Sequence, residues 1–197
     1  MHNMETIVNE TLQDLLISIG NPPLKSESRL NIISNSNTRY LRDVKINIGN
    51  VLKLETLNEK ERLLLALAVA VNEDNETLES GILNRLKEVE IKEEEIAETY
   101  ACVSLLQVNN VFYRFRHFTQ KEFYEKTPAG IKMSIMLNPV LGKEFFELMS
   151  LAISALNGCE QCVVSHEASV LNHGGSEQRI YDAIRLTAVF KGLVRLL

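Results

Sequence analysis

The chain lacks most of what would staple a small secreted domain together or carry it through a membrane. Only three of its 197 residues are cysteine, too few for a disulfide framework. The longest apolar run, Leu63 to Val71, ends after nine residues, far below the roughly 20 needed to span a bilayer. Acids outnumber bases, and a net charge of −5 excludes the broad basic face of a general nucleic-acid binder. The opening M-H-N-M-E-T-I-V-N-E places acids where a signal peptide carries Lys or Arg, and no long apolar h-region follows it. The expectation is a soluble, cytoplasmic protein with neither membrane nor nucleic acid as a partner. In that compartment a close cysteine pair is catalytic or metal-binding more often than structural.

Strand signals are also missing. No convincing strand alternation appears, and no Asn-Gly hairpin turn joins β-branched runs. Helical periodicity takes their place, with 45% hydrophobic residues to supply a core. Ile7, Leu12, Leu15 and Leu16 form one stripe of a first helix ending at Gly20, before Pro22-Pro23. Ser26 to Thr38 reads as a Ser/Asn-rich loop with room for one helical turn. Leu41, Val44, Ile48 and Val51 then restore helical spacing.

A weak internal repeat follows. R-L-L-L-A-L-A-V-A-V-N (Arg62 to Asn72) aligns with E-L-M-S-L-A-I-S-A-L-N (Glu147 to Asn157), and Ile96 to Leu106 aligns with Ile180 to Phe190. The fold class expected is all-α, two related helical repeats packed as one domain about a pseudo-two-fold axis. Residues 1–118 hold an N-terminal segment and a degenerate first repeat, 119–143 a connector, and 144–197 the second repeat. Thr127-Pro128 and Asn138-Pro139 punctuate the connector. Where the second repeat has Glu147, Cys159, Cys162 and His166, this register gives the first Arg62, Asp74, Thr77 and Gly81. The first half is a scaffold, and any chemistry lies in the second.

That chemistry centres on N-G-C-E-Q-C-V-V-S-H-E, Asn157 to Glu167. Asn157-Gly158 stops one helix, and Cys159 begins the next, where free N–H groups and the helix dipole favour a thiolate. Cys159 and Cys162 are i,i+3, with Cβ atoms roughly 5–6 Å apart on a regular helix. A disulfide needs about 3.5–4.5 Å, within reach of a tightened first turn. His166 lies one turn beyond Cys162 on the same face, and Glu147 can fold back from the preceding helix. A carboxylate–imidazole–thiol relay would then serve Cys162. Cys159, nearer the helix end, is expected to be the more exposed sulfur. The same four residues could instead hold zinc, although three ligands on one helix suit tetrahedral geometry poorly and no second Cys/His pair exists. Taken singly, Glu147 reads as a first-turn acid and His166 as a hydrogen-bonded core residue. A dithiol enzyme and a non-enzymatic helical module that senses redox state or binds zinc both fit.

Three other candidates are assigned structural roles. Cys102 falls in an apolar helix as a core thiol, and His173 caps a helix end. His117, in the aromatic-basic stretch Asn109 to Phe118, packs the halves together or builds a subunit interface.

S-A-L-N-G-C-E-Q-C-V-V-S-H-E with its upstream Glu147 resembles the alkyl hydroperoxidase D (AhpD) family, within the carboxymuconolactone decarboxylase-like group. N-N-V-F-Y-R-F-R-H-F and G-I-K-M-S-I-M-L-N-P extend the resemblance over roughly Tyr40 to Leu197. It implies an all-helical homotrimer that acts as an antioxidant thiol-dependent peroxidase with no bound cofactor or metal. It also implies that the enzyme re-reduces a partner peroxiredoxin, alkyl hydroperoxide reductase C. Electrons would come from the dihydrolipoyl group of a lipoylated 2-oxo acid dehydrogenase component. By position, Cys162 matches the peroxide-attacking cysteine that passes through a sulfenic acid. Cys159 matches the resolving, proton-donating cysteine of the Cys159–Cys162 disulfide, and Glu147 and His166 match the proton relay. Many members carry His immediately before the second cysteine; here Gln161 stands there, able to bind a water but not to titrate near neutrality. The relay is expected to lose efficiency, with the redox assignment intact.

Overall fold

A computed structural model describes residues 9–25, 28–36 and 38–197. Ile7, expected on the first helical stripe, lies outside them. Among the described residues there are ten α-helices and no strand, as the periodicity predicts. They are α1 (Glu10–Ser18), α2 (Arg29–Asn35), α3 (Arg39–Val51), α4 (Glu59–Asn72), α5 (Glu76–Leu86), α6 (Glu93–Thr119), α7 (Glu122–Lys126), α8 (Lys143–Leu156), α9 (Glu160–Asn172) and α10 (Glu177–Val194).

One expectation fails early. The stretch read as a loop contains α2, started by Ser28, whose side chain accepts from the Asn31 N–H. Ser and Asn are weak helix formers but good caps, and burial of Leu30 holds the short helix against the core.

α4 is the central helix. Its N-terminus carries a capping box, Asn58 with Glu61, and Leu63 to Ala70 are all buried. A helix apolar on every side must be surrounded, and α4 packs against α5, α6, α8 and α10. Arg179 of α10 fastens the two halves from the rim: it donates to Glu61 at 2.6 Å and to Glu144 at 2.9 Å.

The helix trios α4–α6 and α8–α10 begin at Glu59, Glu76 and Glu93, and at Lys143, Glu160 and Glu177. Each pair of starts is separated by 84 residues, one fewer than the register read from Arg62 and Glu147. The turns agree with the shorter spacing, since Asp74 (φ 54°) and Gly158 (φ 66°) take the same left-handed place after α4 and α8. Glu147, Cys159, Cys162 and His166 therefore correspond to Leu63, Asn75, Leu78 and Ile82, rather than to Arg62, Asp74, Thr77 and Gly81.

The two middle helices differ in their cover. Gly20 and Asn21, just beyond α1, dock on α5, where Asn21 Nδ2 donates to the Thr77 carbonyl at 2.6 Å. A Cβ on Gly81 would meet Asn21 Oδ1 at 2.3 Å, so this approach requires glycine. The corresponding α9 is covered on one side by the connector instead, and an open cavity remains there.

Candidate active site

Asn157 ends α8 and Gly158 turns the chain left-handed, so that Cys159 becomes the N-cap of α9. Side chains of α6 hold this turn. Asn157 Nδ2 donates to Asn110 Oδ1 at 2.9 Å, Asn110 donates to Ser154 Oγ at 3.0 Å, and Arg114 donates to the Asn157 carbonyl. The aromatic-basic stretch thus does pack the halves together, as a continuation of α6 rather than a separate segment.

Cys159 and Cys162 are joined, Sγ to Sγ at 2.09 Å with Cα atoms 5.3 Å apart. Both are buried, but in the order opposite to that expected: Cys159 is 1% exposed and Cys162 7%. The α8–α9 turn and α6 close over the N-cap, whereas Cys162 lies one turn along α9 and faces the cavity.

Glu147 lies at the fifth position of α8, beyond the first turn, where Glu144 is the acid that meets the helix dipole. Its carboxylate, only 4% exposed, meets His166 Nδ1 at 2.6 Å through Oε2 and Lys143 Nζ at 2.6 Å through Oε1. Burial pushes this carboxyl up, but the hydrogen bonds from His166 and Lys143 and their charges outweigh it and hold Glu147 down at about 2. An ionised carboxylate can only accept, so His166 carries its proton on Nδ1 and leaves Nε2 for the site.

His166 and Cys162 both line a cavity of about 670 Å³. Gln161 and Ser165 complete the α9 wall, Tyr113 and Arg116 of α6 form another, and Met133 and Met136 of the connector close a third. Two lining residues carry buried polar atoms without a partner among the described residues, Asn109 Oδ1 and Arg116 Nε. Asn109 is 4% exposed, and among the described residues its Nδ2 reaches only the Met133 thioether, at 3.1 Å. A buried amide so poorly served leaves hydrogen-bonding capacity for a polar ligand.

Glu147, Cys159, Cys162 and His166 lie close together in the structure, and sequence reasoning missed three things around them. Lys143 carried a signal, being four residues before Glu147 on the same helix face. Glu98 of α6 accepts from the Val140 and Leu141 N–H groups at 2.7 Å each, which fixes the connector. The connector wall itself depends on contacts across the chain that no local pattern announces. His173 caps α9 as expected, its Nδ1 at 2.7 Å from the Ser169 carbonyl. Cys102 is fully buried, and burial pushes its thiol up to about 12, beyond use as a thiolate.

Comparison with known proteins now decides the family. The profile of the Carboxymuconolactone decarboxylase family matches residues 124–197. An alkyl hydroperoxide reductase AhpD of Anaeromyxobacter dehalogenans (strain 2CP-C) is 39% identical over 148 residues, covering 75% of this chain and 79% of that protein. The chain belongs to the AhpD family. The AhpD of Coxiella burnetii (strain RSA 493 / Nine Mile phase I) is 35% identical over 79% of this chain and 89% of its own length. That of Solibacter usitatus is 34% identical over 83% and 92%. The profile match includes all four site residues and the methionine wall; the α6 wall, with Asn109, Tyr113 and Arg116, lies before it. Among the described residues of this AhpD-family chain no helix is long and apolar enough to cross a membrane. No cluster of three or more His, Cys, Asp or Glu side chains suited to a metal occurs among them either.

Proposed function

We propose that this protein reduces organic hydroperoxides through the Cys159/Cys162 pair. The observation that carries this reading is the Glu147–His166 contact, which puts an oriented imidazole in the cavity that Cys162 faces. In the reduced enzyme the Cys162 thiolate attacks the outer oxygen of the hydroperoxide. The O–O bond breaks, the alkoxide takes a proton through His166 and leaves as alcohol, and Cys162 becomes a sulfenic acid. Cys159 then attacks the Cys162 sulfur, hydroxide leaves and is protonated to water, and the disulfide forms.

An external dithiol returns two electrons and two protons. We assign this role to a dihydrolipoyl group on a carrier protein, with an alkyl hydroperoxide reductase C peroxiredoxin as a second client of the reduced pair. The relatives' name, alkyl hydroperoxide reductase, supports the peroxide chemistry. The sequence made Cys159 the more exposed sulfur, and so the one an external dithiol would meet first. The exposures reverse that premise, so attack is assigned to Cys162 from the cavity. It expels Cys159 as a thiolate at the N-cap of α9, where unpaired N–H groups stabilise the leaving group.

Assembly as a homotrimer is part of the same proposal. Val108, Val111, Phe115 and Phe118 leave one apolar stripe of α6 exposed, with Phe123 of α7 beside it in sequence. Such a stripe suits a subunit interface.

Thiol titration with metal analysis tests the function. The oxidised, denatured protein should show one thiol, and three after reduction, with one equivalent of hydroperoxide consuming two. Three thiols without reduction, or about one zinc per chain, would support a non-catalytic module instead.

A further inference from the structure

Lys143 has no part in the chemistry above, yet it is tied into the site at two points. Its Nζ donates to Glu147 Oε1 at 2.6 Å and to the Met136 carbonyl at 2.6 Å. Glu147 thus accepts from two donors through two oxygens, His166 on one side and Lys143 on the other. The Met136 contact also reaches the connector, whose Met133 and Met136 side chains form a cavity wall. An ordinary i,i+4 surface pair has two exposed ends. Here the carboxylate is 4% exposed and the lysine side chain 32%, so the lysine charge acts on a carboxylate shielded from solvent.

We propose that Lys143 is a positioning residue that sets the proton affinity of the His166–Cys162 pair by sharing the charge of Glu147. The inference rests on the relay described above. An unshared Glu147 carboxylate would direct its full negative charge at His166. Lys143 takes up part of that charge, and its positive field makes a proton easier to lose from either His166 or Cys162. The direction does not depend on which of the two gives it up. The other charged or titratable groups around the pair come from every neighbouring element. α6 contributes Glu98, engaged by the connector amides, with the buried Cys102 thiol, the Tyr113 phenol and Arg116. The connector contributes Glu125 at the cavity, and Glu144 of α8 is paired with Arg179 of α10. Glu160 of α9 faces His117 at 3.4 Å. None of these touches Glu147; Lys143 does.

The test follows iodoacetamide alkylation of Cys162 in reduced, full-length Cys159→Ser protein against pH, read by peptide mass spectrometry. Lys143→Met and Lys143→Gln, each checked for native circular dichroism, should move the acidic limb of the profile up by about one pH unit. Just below that limb the rate should fall roughly tenfold. Lys143→Arg, which keeps the charge, should restore the limb. A lysine that only braced the fold would lower thermal stability and leave the limb in place. An acidic limb that is unmoved or displaced downward in both neutral variants overturns the proposal. His166→Gln separates the two readings. If it changes the profile and the Lys143 variants do not, only the role of Lys143 falls; if it too leaves the profile unchanged, the relay itself falls.

Discussion

Glu147 and His166 stand 19 residues apart in the sequence and 2.6 Å apart in space. The Asn157-Gly158 turn makes this possible by folding α9 back along α8, so that a carboxylate in the second turn of one helix meets an imidazole in the second turn of the other. The contact fixes the imidazole's proton and orientation, and Cys162 lies one helical turn away on the same face.

The first consequence is kinetic. Glu147→Gln keeps the shape of the side chain but removes the charged acceptor that orients His166. Turnover of a hydroperoxide with excess dithiol should fall by roughly 10²–10⁴, with circular dichroism unchanged. Unaltered turnover under chemistry-limited conditions would reduce Glu147 to a structural acid.

The same carboxylate makes stability depend on acid. Its folded-state value of about 2 lies below the ordinary 4.5. Its contribution is therefore fully present above the ordinary value and is lost as pH falls towards about 2. The difference in melting temperature between wild type and Glu147→Gln should be constant above pH ~5 and narrow below it. A difference that stays constant down to pH ~2.5 would contradict the ion pairing.

The second repeat was legible because its chemistry is local. Cys159, Cys162 and His166 occupy i, i+3 and i+7 of one helix, and helical spacing alone puts them on one face. Glu147 was legible as the acid of the preceding helix, although the simplest reading made it a first-turn acid, and that place belongs to Glu144. The relative exposure of the two cysteines was not legible. It depends on Asn110 and Arg114 of α6 gripping the Asn157 turn from more than 40 residues away. The methionine wall was hidden for the same reason, since Glu98 anchors the connector across a similar interval. α2 was missed because composition pointed to a loop while tertiary burial of Leu30 decided for helix.

The turn itself can be probed at Gly158. At φ 66° a side chain meets no neighbour within 4 Å, so the cost of one is confined to the backbone. Gly158→Ala should destabilise the protein by about 1–2 kcal/mol in denaturant titration. A neutral effect would mean that the turn relaxes without moving Cys159.

Exposure of Cys162 to the cavity gives a directional prediction for the reductant. Challenged with a small lipoyl-type disulfide, reduced Cys159→Ser should form a mixed disulfide on Cys162 rapidly, whereas Cys162→Ser should react slowly through the sealed Cys159. Faster trapping in Cys162→Ser would restore Cys159 as the point of attack.

The central claim is that Cys162 is the sulfur that meets peroxide, and sulfenic-acid labelling tests it most directly. Reduced Cys159→Ser, pulsed with one equivalent of an alkyl hydroperoxide and a dimedone-type probe, should carry the label on Cys162 in peptide mass spectrometry. Cys162→Ser should label weakly and fail to turn over. Strong labelling of Cys159 in Cys162→Ser, with none on Cys162 in the reciprocal variant, would contradict the account and exchange the roles of the two cysteines.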